Sequence, residues 1–216
     1  MPQNVITAEF PVTATGATKE NLKLRMGQRP TKSKPTWADV KTRLAGFDRA
    51  SVLGVLQDLY AADRGNRAFL HARFGLGEDP LQPYKETIDR WLWPDILRGQ
   101  QTSVSRAKGA IANYKKALGD PVGLTELLVF YCERAAGFCQ DVDYRDTTHF
   151  DALVRMFEQA LKVTVNLTGK VQNGFLARLN RVRSIGRQLG NGVGEDMDVL
   201  LSEFDLSVQA RGASWK

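Results

Sequence analysis

The amino-acid sequence predicts an all-α protein, a compact bundle of antiparallel helix hairpins preceded by a flexible basic N-terminal arm. Three observations lead to this prediction. Apolar residues recur at three- and four-residue steps along most of the chain, which is the period of one helix face. Capping residues precede these segments, and glycine or proline follows them. No segment alternates apolar and polar residues in the way that a half-buried strand does.

The first 35 residues are expected to form the arm, because they are rich in Thr, Gly, Pro and Lys and show little periodicity. They hold six basic residues against two acidic ones, so +4 of the chain's net charge of +6 lies there. Lys23, Arg25 and Arg29 of the arm are candidates for contact with a polyanion. We expect the bundle over residues 36–206 and a frayed tail over residues 207–216.

The first helices are predicted from their capping residues. Thr36, with Asp39 three residues later, resembles a capping box that opens the first helix. Asp48 starts the second, and Asn66 is expected to cap a third that ends near Gly75. The second helix carries an apolar face at helical spacing: Val52, Leu53, Val55, Leu56, Leu59 and Tyr60.

The middle of the chain is punctuated by proline. A helix from about Tyr84 should end at Trp93, because Pro94 removes a backbone donor and disfavours helical geometry before it. Thr102 or Ser103 caps the next helix. That helix points one apolar row inward: Val104, Ala107, Ile111, Tyr114 and Leu118.

Gly119, Asp120 and Pro121 suit a helix end, an N-cap and a first helical position, so the flanking helices should be antiparallel neighbours. The helix after Pro121 is apolar on nearly all sides, which places it at the centre of the bundle. Cys132 and Cys139 lie on it, about 10.5 Å apart along the axis, which is too far for a disulfide. We expect both to be buried apolar fillers, as in a reducing compartment.

Two amphipathic helices and a short acidic one complete the bundle. The first has core spacing from Phe150 to Leu161 and ends at Gly169 or nearby. The loop over residues 190–194 breaks the chain, and an acidic helix is expected from about Glu195 to Phe204. The helix between them points these residues inward: Val171, Phe175, Leu179, Val182 and Leu189.

Several classes of protein are disfavoured by the sequence. Its apolar runs are too short to span a bilayer, and its N-terminus lacks the basic and apolar regions of a signal peptide, so we expect a cytosolic protein. The loop over residues 190–194 lacks the Lys-Ser/Thr of a P-loop. Two cysteines without metal-ligand spacing argue against structural zinc. We expect no cofactor and no metal.

The acidic segment over residues 141–151 is open to two interpretations. It contains five residues of metal-ligand type: Asp141, Asp143, Asp146, His149 and Asp151. Helix capping by Asp143, Asp146 or the following threonines explains the same residue types, because N-caps prefer Asp and Thr. Capping is the favoured interpretation.

The strongest signal outside the core is cationic. Two helical stretches carry basic residues with no acidic residue among them, over residues 98–119 and 159–194. Such faces could follow a phosphate backbone, although basic helix faces are often only solvated. The acidic helix at Glu195–Asp205 offers carboxylates that would neutralise one of them. The candidate nucleic-acid-binding residues are Arg106, Lys108, Lys115 and Lys116 in the first stretch, and Arg178, Arg181, Arg183 and Arg187 in the second.

Two further features bear on nucleic acid. Arg64 and His71 have the loose spacing of the arginine and histidine in helical toxin-like ribonucleases, in which the histidine would act as a general base. Spacing alone does not establish acid-base chemistry. Trp37, Trp91 and Trp93 could stack on bases, but tryptophans more often anchor cores.

Part of the chain resembles a known family. The residues that carry the resemblance are Ser105 to Ile111, Tyr114-Lys115-Lys116, Asp120-Pro121, Glu126-Leu127-Leu128, Tyr131, Glu133, Asp143 and the run from Phe150 to Leu161. Over about residues 40–204 the chain is similar to an uncharacterised bacterial family of small all-helical proteins, a domain of unknown function. The resemblance implies a bacterial all-α protein and no activity, and the arm departs from the family pattern.

These observations predict a non-enzymatic binding or accessory subunit. Its partner would be nucleic acid, RNA or DNA, or a ribonucleoprotein assembly, contacted through the basic helix faces and the arm. The alternative is a protein-interaction module in which the acidic helix meets a basic partner or a second copy. A ribonuclease using His71 is the third hypothesis.

Overall fold

The computed structural model describes residues 34–213, with side chains described up to residue 210. This part of the chain contains nine α-helices, one short 3-10 helix (Ile96–Arg98) and no strand, which confirms the predicted all-α bundle. The predicted contacts of Lys23, Arg25 and Arg29 lie outside the described residues. The helices are α1 (Trp37–Leu44), α2 (Arg49–Ala62), α3 (Arg64–Phe74), α4 (Gln82–Leu92), α5 (Val104–Ala117), α6 (Pro121–Asp141), α7 (Thr147–Thr164), α8 (Gly169–Leu189) and α9 (Val193–Ala213).

Capping side chains begin several helices where the sequence predicts them. Thr36 and Asp39 form the capping box of α1. Ser103 caps α5, and the Asp120 carboxylate accepts a hydrogen bond from the Gly123 backbone N–H at 2.7 Å at the start of α6. Asp146 does the same for the His149 N–H at 2.7 Å at the start of α7. These side chains satisfy backbone donors that a helix start leaves unpaired.

Three predicted boundaries are wrong. The third helix is capped by Asp63 and not by Asn66, because the Asp63 carboxylate accepts hydrogen bonds from the Gly65 and Asn66 N–H groups. Helix α7 stops before Gly169, which begins α8 in the left-handed backbone region that favours glycine. Helix α9 continues beyond Phe204, so residues 207–213 of the predicted tail are helical.

The core is centred on α6, as its apolar composition predicts. Helix α6 packs against α4, α5, α7 and α8, and α9 packs against α7 and α8. Cys132 and Cys139 are buried on α6 and are not paired, which confirms the prediction for both. Six helices supply large side chains that are fully buried: Tyr114, Tyr131, Phe138, Phe157, Ile88, Leu92, Leu127, Leu153, Leu179 and Met197.

The chain divides into two compact units, residues 1–52 and 53–216. In the described part of the first unit, α1 buries none of its residues. In the second unit, the apolar face of α2 is exposed: Leu53 is 55% and Leu59 is 51% accessible to solvent. Apolar spacing therefore predicts the helix correctly, although no residue of α2 is buried.

Helices α8 and α9 approach each other closely around a tight connection. Gly190, Asn191 and Gly192 join them with φ angles of 75°, 54° and 78°. A Cβ atom added to Gly194 would lie 2.6 Å from the Arg187 Cα and 2.7 Å from its backbone nitrogen. Only glycine fits at this position, because backbone atoms cannot move aside as a flexible side chain can.

None of the helices in the described part of the chain has both the length and the apolar content needed to cross a membrane.

Candidate nucleic-acid interface

The cationic residues of α5 lie on two flanks of the helix. Arg106 projects from one flank, while Lys108 and Lys115, seven residues apart, share the other. Lys116 lies between the flanks on the outer surface and is exposed. The buried row that starts at Ala107 turns the opposite side of the helix into the core. The single cationic face predicted from the sequence is therefore divided between two neighbouring grooves.

The first groove, which we call the arginine groove, collects Arg64 of α3, Arg90 of α4 and Arg106 of α5 around Trp91. Its volume is about 490 Å³. The Arg106 guanidinium lies 4.2 Å from the centre of the Trp91 ring, and that of Arg90 lies 5.3 Å from it. Cation–π attraction of this kind orders arginine side chains without neutralising their charge.

The charges of the arginine groove are not cancelled by ion pairs. Within residues 34–213, none of its three arginines has a carboxylate oxygen within ion-pair distance. Two acidic residues also line the groove: the Asp63 carboxylate caps α3, and that of Glu86 accepts a hydrogen bond from Gln82 at 3.2 Å. The net positive charge is therefore free to meet an anion.

The second groove, the lysine groove, lies between α5 and α7 and has a volume of about 500 Å³. Lys108 and Lys115 line its α5 side, and Lys162 lines its α7 side, where it pairs with Glu158. Burial lowers the pKa of Lys108, and the nearby charge of Arg155 lowers it further. The floor between them is apolar: Ile111, Leu124, Leu128, Met156 and Val163.

Arg178, the first of the four α8 arginines, is paired with carboxylates inside the bundle. Arg178 is 23% exposed and pairs with Glu126 and with Glu133, the latter at 2.7 Å. Lys85 adds a second cation on Glu126 at 2.8 Å. Burial alone would raise the pKa of Glu126, but the hydrogen bonds from Arg178 and Lys85 bring it below its usual value. The same pairing acts in the opposite direction on the arginine, because hydrogen bonding to Glu133 raises the pKa of Arg178.

Two of the other three α8 arginines are also paired with carboxylates of the bundle, and one is not, in the part of the chain that the structure describes. Arg183 and Arg187 both contact Asp198 of α9, at 3.3 Å and 2.8 Å. The acidic helix thus supplies the neutralising carboxylate that the sequence offers as an alternative. Arg181 is exposed and makes no ion pair within the described residues. The structure therefore brings Arg106, but none of the four α8 arginines, into the arginine groove.

The residues of the ribonuclease hypothesis face different surroundings. The His71 ring nitrogen Nε2 lies 3.0 Å from the Tyr60 hydroxyl, whereas Arg64 lines the arginine groove, of which His71 is not a part. Cleavage by His71 remains a prediction. Trp93 is half-buried and packs against Gly137 and Phe138, so its ring anchors α4 against α6.

The acidic segment caps α7 and does not gather its carboxylates. Among residues 34–213 no three His, Cys, Asp or Glu side chains are grouped so that they could hold a metal ion. His149 is only 2% exposed and lies beside the rings of Phe138 and Tyr144. Its Nε2 atom lies 3.4 Å from the Ala135 carbonyl oxygen, and its Nδ1 atom has no hydrogen-bond partner there.

Acid is expected to destabilise the fold through His149. Burial lowers its pKa below the ordinary histidine value of 6.5, although the Ala135 carbonyl and Asp146 oppose the shift. The unfolded chain therefore binds this proton more readily, and the free energy of unfolding falls as the pH drops below 6.5. One proton contributes a slope of up to about 1.4 kcal/mol per pH unit.

The chain has two histidines, so two imidazole resonances in a ¹H NMR titration separate His149 from His71. We expect the His149 resonance of the folded protein to titrate below pH 6.5. His149→Phe should flatten the acid limb of the pH–stability curve. A His149 resonance that titrates at or above pH 6.5 contradicts the prediction.

No known protein was found to be similar to this chain. Scans of the chain against protein-family models, curated proteins and solved structures find no match. The resemblance to a bacterial family of unknown function stays a prediction.

Sequence reasoning missed Arg90, and it assigned Arg64 only to the ribonuclease hypothesis. Both belong to the arginine groove. The signal that could have found Arg90 is its position beside Trp91, since an arginine next to an aromatic residue recurs at surfaces that contact nucleic acid.

Proposed function

We propose that the protein is a non-enzymatic binding or accessory subunit that contacts the phosphate backbone of nucleic acid through the arginine groove and Lys116. One observation carries the proposal. The three arginines of the groove come from three helices and keep their charge unpaired, while three of the four α8 arginines are held by carboxylates.

The chemistry of the groove suits phosphates better than base edges. Arginine binds phosphate oxygens through two parallel N–H groups, and each contact releases condensed counterions. Arg106 and Arg90 are ordered against Trp91, so less side-chain entropy is lost when they bind. Contacts to phosphate carry no sequence information, so we propose binding without sequence specificity.

The test is fluorescence anisotropy with single-stranded RNA, single-stranded DNA and duplex DNA over a series of salt concentrations. The variant Arg90→Ala/Arg106→Ala removes two proposed phosphate contacts. We expect weaker binding and a plot of log K against log salt whose slope is shallower by about 2, because each lost contact removes about one unit.

The matched control is Arg181→Ala, which removes an exposed and unpaired arginine outside the groove. It should change the affinity and the slope little. Equal losses in the control and the double variant would sink the groove as the interface. An absence of binding to all three nucleic acids at low salt would remove the proposed function altogether.

The arm enters the proposal through its own cations. Lys23→Gln/Arg25→Gln/Arg29→Gln in the full chain tests whether it adds contacts along the same polyanion. Retention of the full salt slope in this variant would confine the interface to the bundle. We propose RNA or a ribonucleoprotein assembly as the natural partner, and the three probes compare it with DNA directly.

A protein-interaction module is the second candidate function. The exposed apolar face of α2 in the second unit favours it, because Leu53, Leu56 and Leu59 follow one another on a single face. Such a face buries its apolar area when it meets a partner. If no nucleic acid binds, protein interaction through this face becomes the favoured function.

A further inference from the structure

The lysine groove has the composition of a site for an acidic amphipathic helix. Its floor is apolar, whereas a phosphate backbone prefers polar donors along its whole path. Lys108 and Lys115 stand on its α5 rim without an ion pair in the described part of the chain. They are seven residues apart, a rise of about 10.5 Å along the helix. An occupant should therefore present carboxylates about 10 Å apart beside an apolar stripe.

The outer face of α9 has this pattern. Val199 is 58% and Leu206 is 66% exposed, and their seven-residue spacing places both on one face of the helix. Asp196 and Glu203 flank this apolar stripe and are also seven residues apart, which repeats the spacing of the two lysines. Both carboxylates are exposed and lack an ion pair among the described residues.

The inner face of α9 is already committed to its own bundle. Met197 and Leu201 are buried against α7 and α8, and Asp198 pairs with Arg183 and Arg187. The outer stripe is therefore free to meet another molecule while the fold stays intact. Its charge spacing and its apolar side chains both complement the lysine groove, which points to a second copy of the same chain as the occupant.

We propose that the protein associates with itself head to tail, with the outer face of α9 of one copy seated in the lysine groove of the next. Asp196 and Glu203 pair with Lys108 and Lys115, and Val199 and Leu206 lie on the apolar floor. The groove and the stripe are different surfaces of one chain, so a pair of copies still has one free groove and one free stripe, to which further copies can add. It does not rest on nucleic-acid binding.

The experiment measures the mass of the full chain by light scattering during gel filtration, with nucleic acid removed beforehand. The chain has a mass of 24.0 kDa. We expect the average mass to rise with protein concentration at low salt and to fall back to that of one chain at high salt, because the pairs are partly exposed and screened. A single-chain mass at about 100 µM and low salt, a concentration far above the Kd of a specific contact, overturns the proposal.

Two charge-reversal variants make the test specific. Lys108→Glu/Lys115→Glu disables the groove, and Asp196→Lys/Glu203→Lys disables the stripe. Each should be a single chain by itself, with an unchanged circular dichroism spectrum. An equimolar mixture should associate again, because the intact stripe of the first variant meets the intact groove of the second, and their two reversed surfaces are complementary in the opposite sense.

The combined variant with all four reversals should self-associate again, since its charges are complementary in the opposite sense. A mixture that stays dissociated, while the native chain associates, would assign the contact to another surface and overturn the proposal.

Discussion

Gly194→Ala is expected to lower the free energy of unfolding by about 3 kcal/mol, at the upper end of what overpacking costs. The added Cβ would meet the backbone of Arg187 at 2.6 Å to its Cα and 2.7 Å to its nitrogen. Relief requires α9 to move away from α8, and this movement would loosen the buried contacts of Val193 and Met197. Urea unfolding followed by circular dichroism measures the loss.

The matched control is the same substitution at Gly174, in the interior of α8. No atom lies within 4 Å of a Cβ added there. Alanine loses less backbone entropy than glycine in a helix, so Gly174→Ala should raise the free energy of unfolding by about 0.5–1 kcal/mol. The two variants should therefore change stability in opposite directions. Equal stability of Gly194→Ala and the native chain would contradict the close approach of α8 and α9.

Arg178→Met is expected to destabilise the protein by about 2 kcal/mol. Removal of the guanidinium leaves Glu126 and Glu133 facing each other with only Lys85 as a counter-charge. Loss of one partner of a fully buried pair costs about 3–5 kcal/mol, and the 23% exposure of Arg178 reduces this figure through solvent screening. Thermal unfolding and urea unfolding both report the change.

Arg181→Met controls for the loss of a cation from the same helix. It is exposed and unpaired among the described residues, so we expect its effect on stability to lie within about 0.5 kcal/mol. Arg178→Lys should recover only part of the loss, since a single ammonium cannot reach two carboxylates with the paired N–H geometry of a guanidinium. A fully stable Arg178→Met protein would show that the carboxylates find other partners.

The sequence predicts the helices of this fold well because capping and periodicity are local signals. Asp120-Pro121 and Asp146 begin helices where side-chain chemistry places them. Gly169 shows the limit, since a glycine in the left-handed backbone region can start a helix as well as follow one. The exposed face of α2 shows a second limit. Apolar spacing indicates a helix face that can be buried, but it does not indicate which element or partner covers that face.

The candidate site was less accessible from sequence because charge alone does not say which cations are paired. Arg178 and Arg106 look alike in the chain, yet the first lies between two carboxylates of α6 and the second lies on a tryptophan. The partners of Arg178 are about fifty positions away in the sequence, at separations of 52 and 45 residues. Helix periodicity carries no information about contacts at such distances.

The two buried thiols of α6 allow local opening of the bundle to be measured by chemical labelling. Burial raises the pKa of Cys139 to about 12, and it raises that of Cys132 further. The thiolate is the nucleophile that attacks a thiol reagent, so neither sulfur reacts while the central helix is enclosed. Labelling requires a fluctuation that exposes the helix. When the helix recloses faster than it is labelled, the rate of labelling measures the free energy of that opening. Each variant could thus be ranked in its native buffer, without denaturant, by the rate at which it takes up the label.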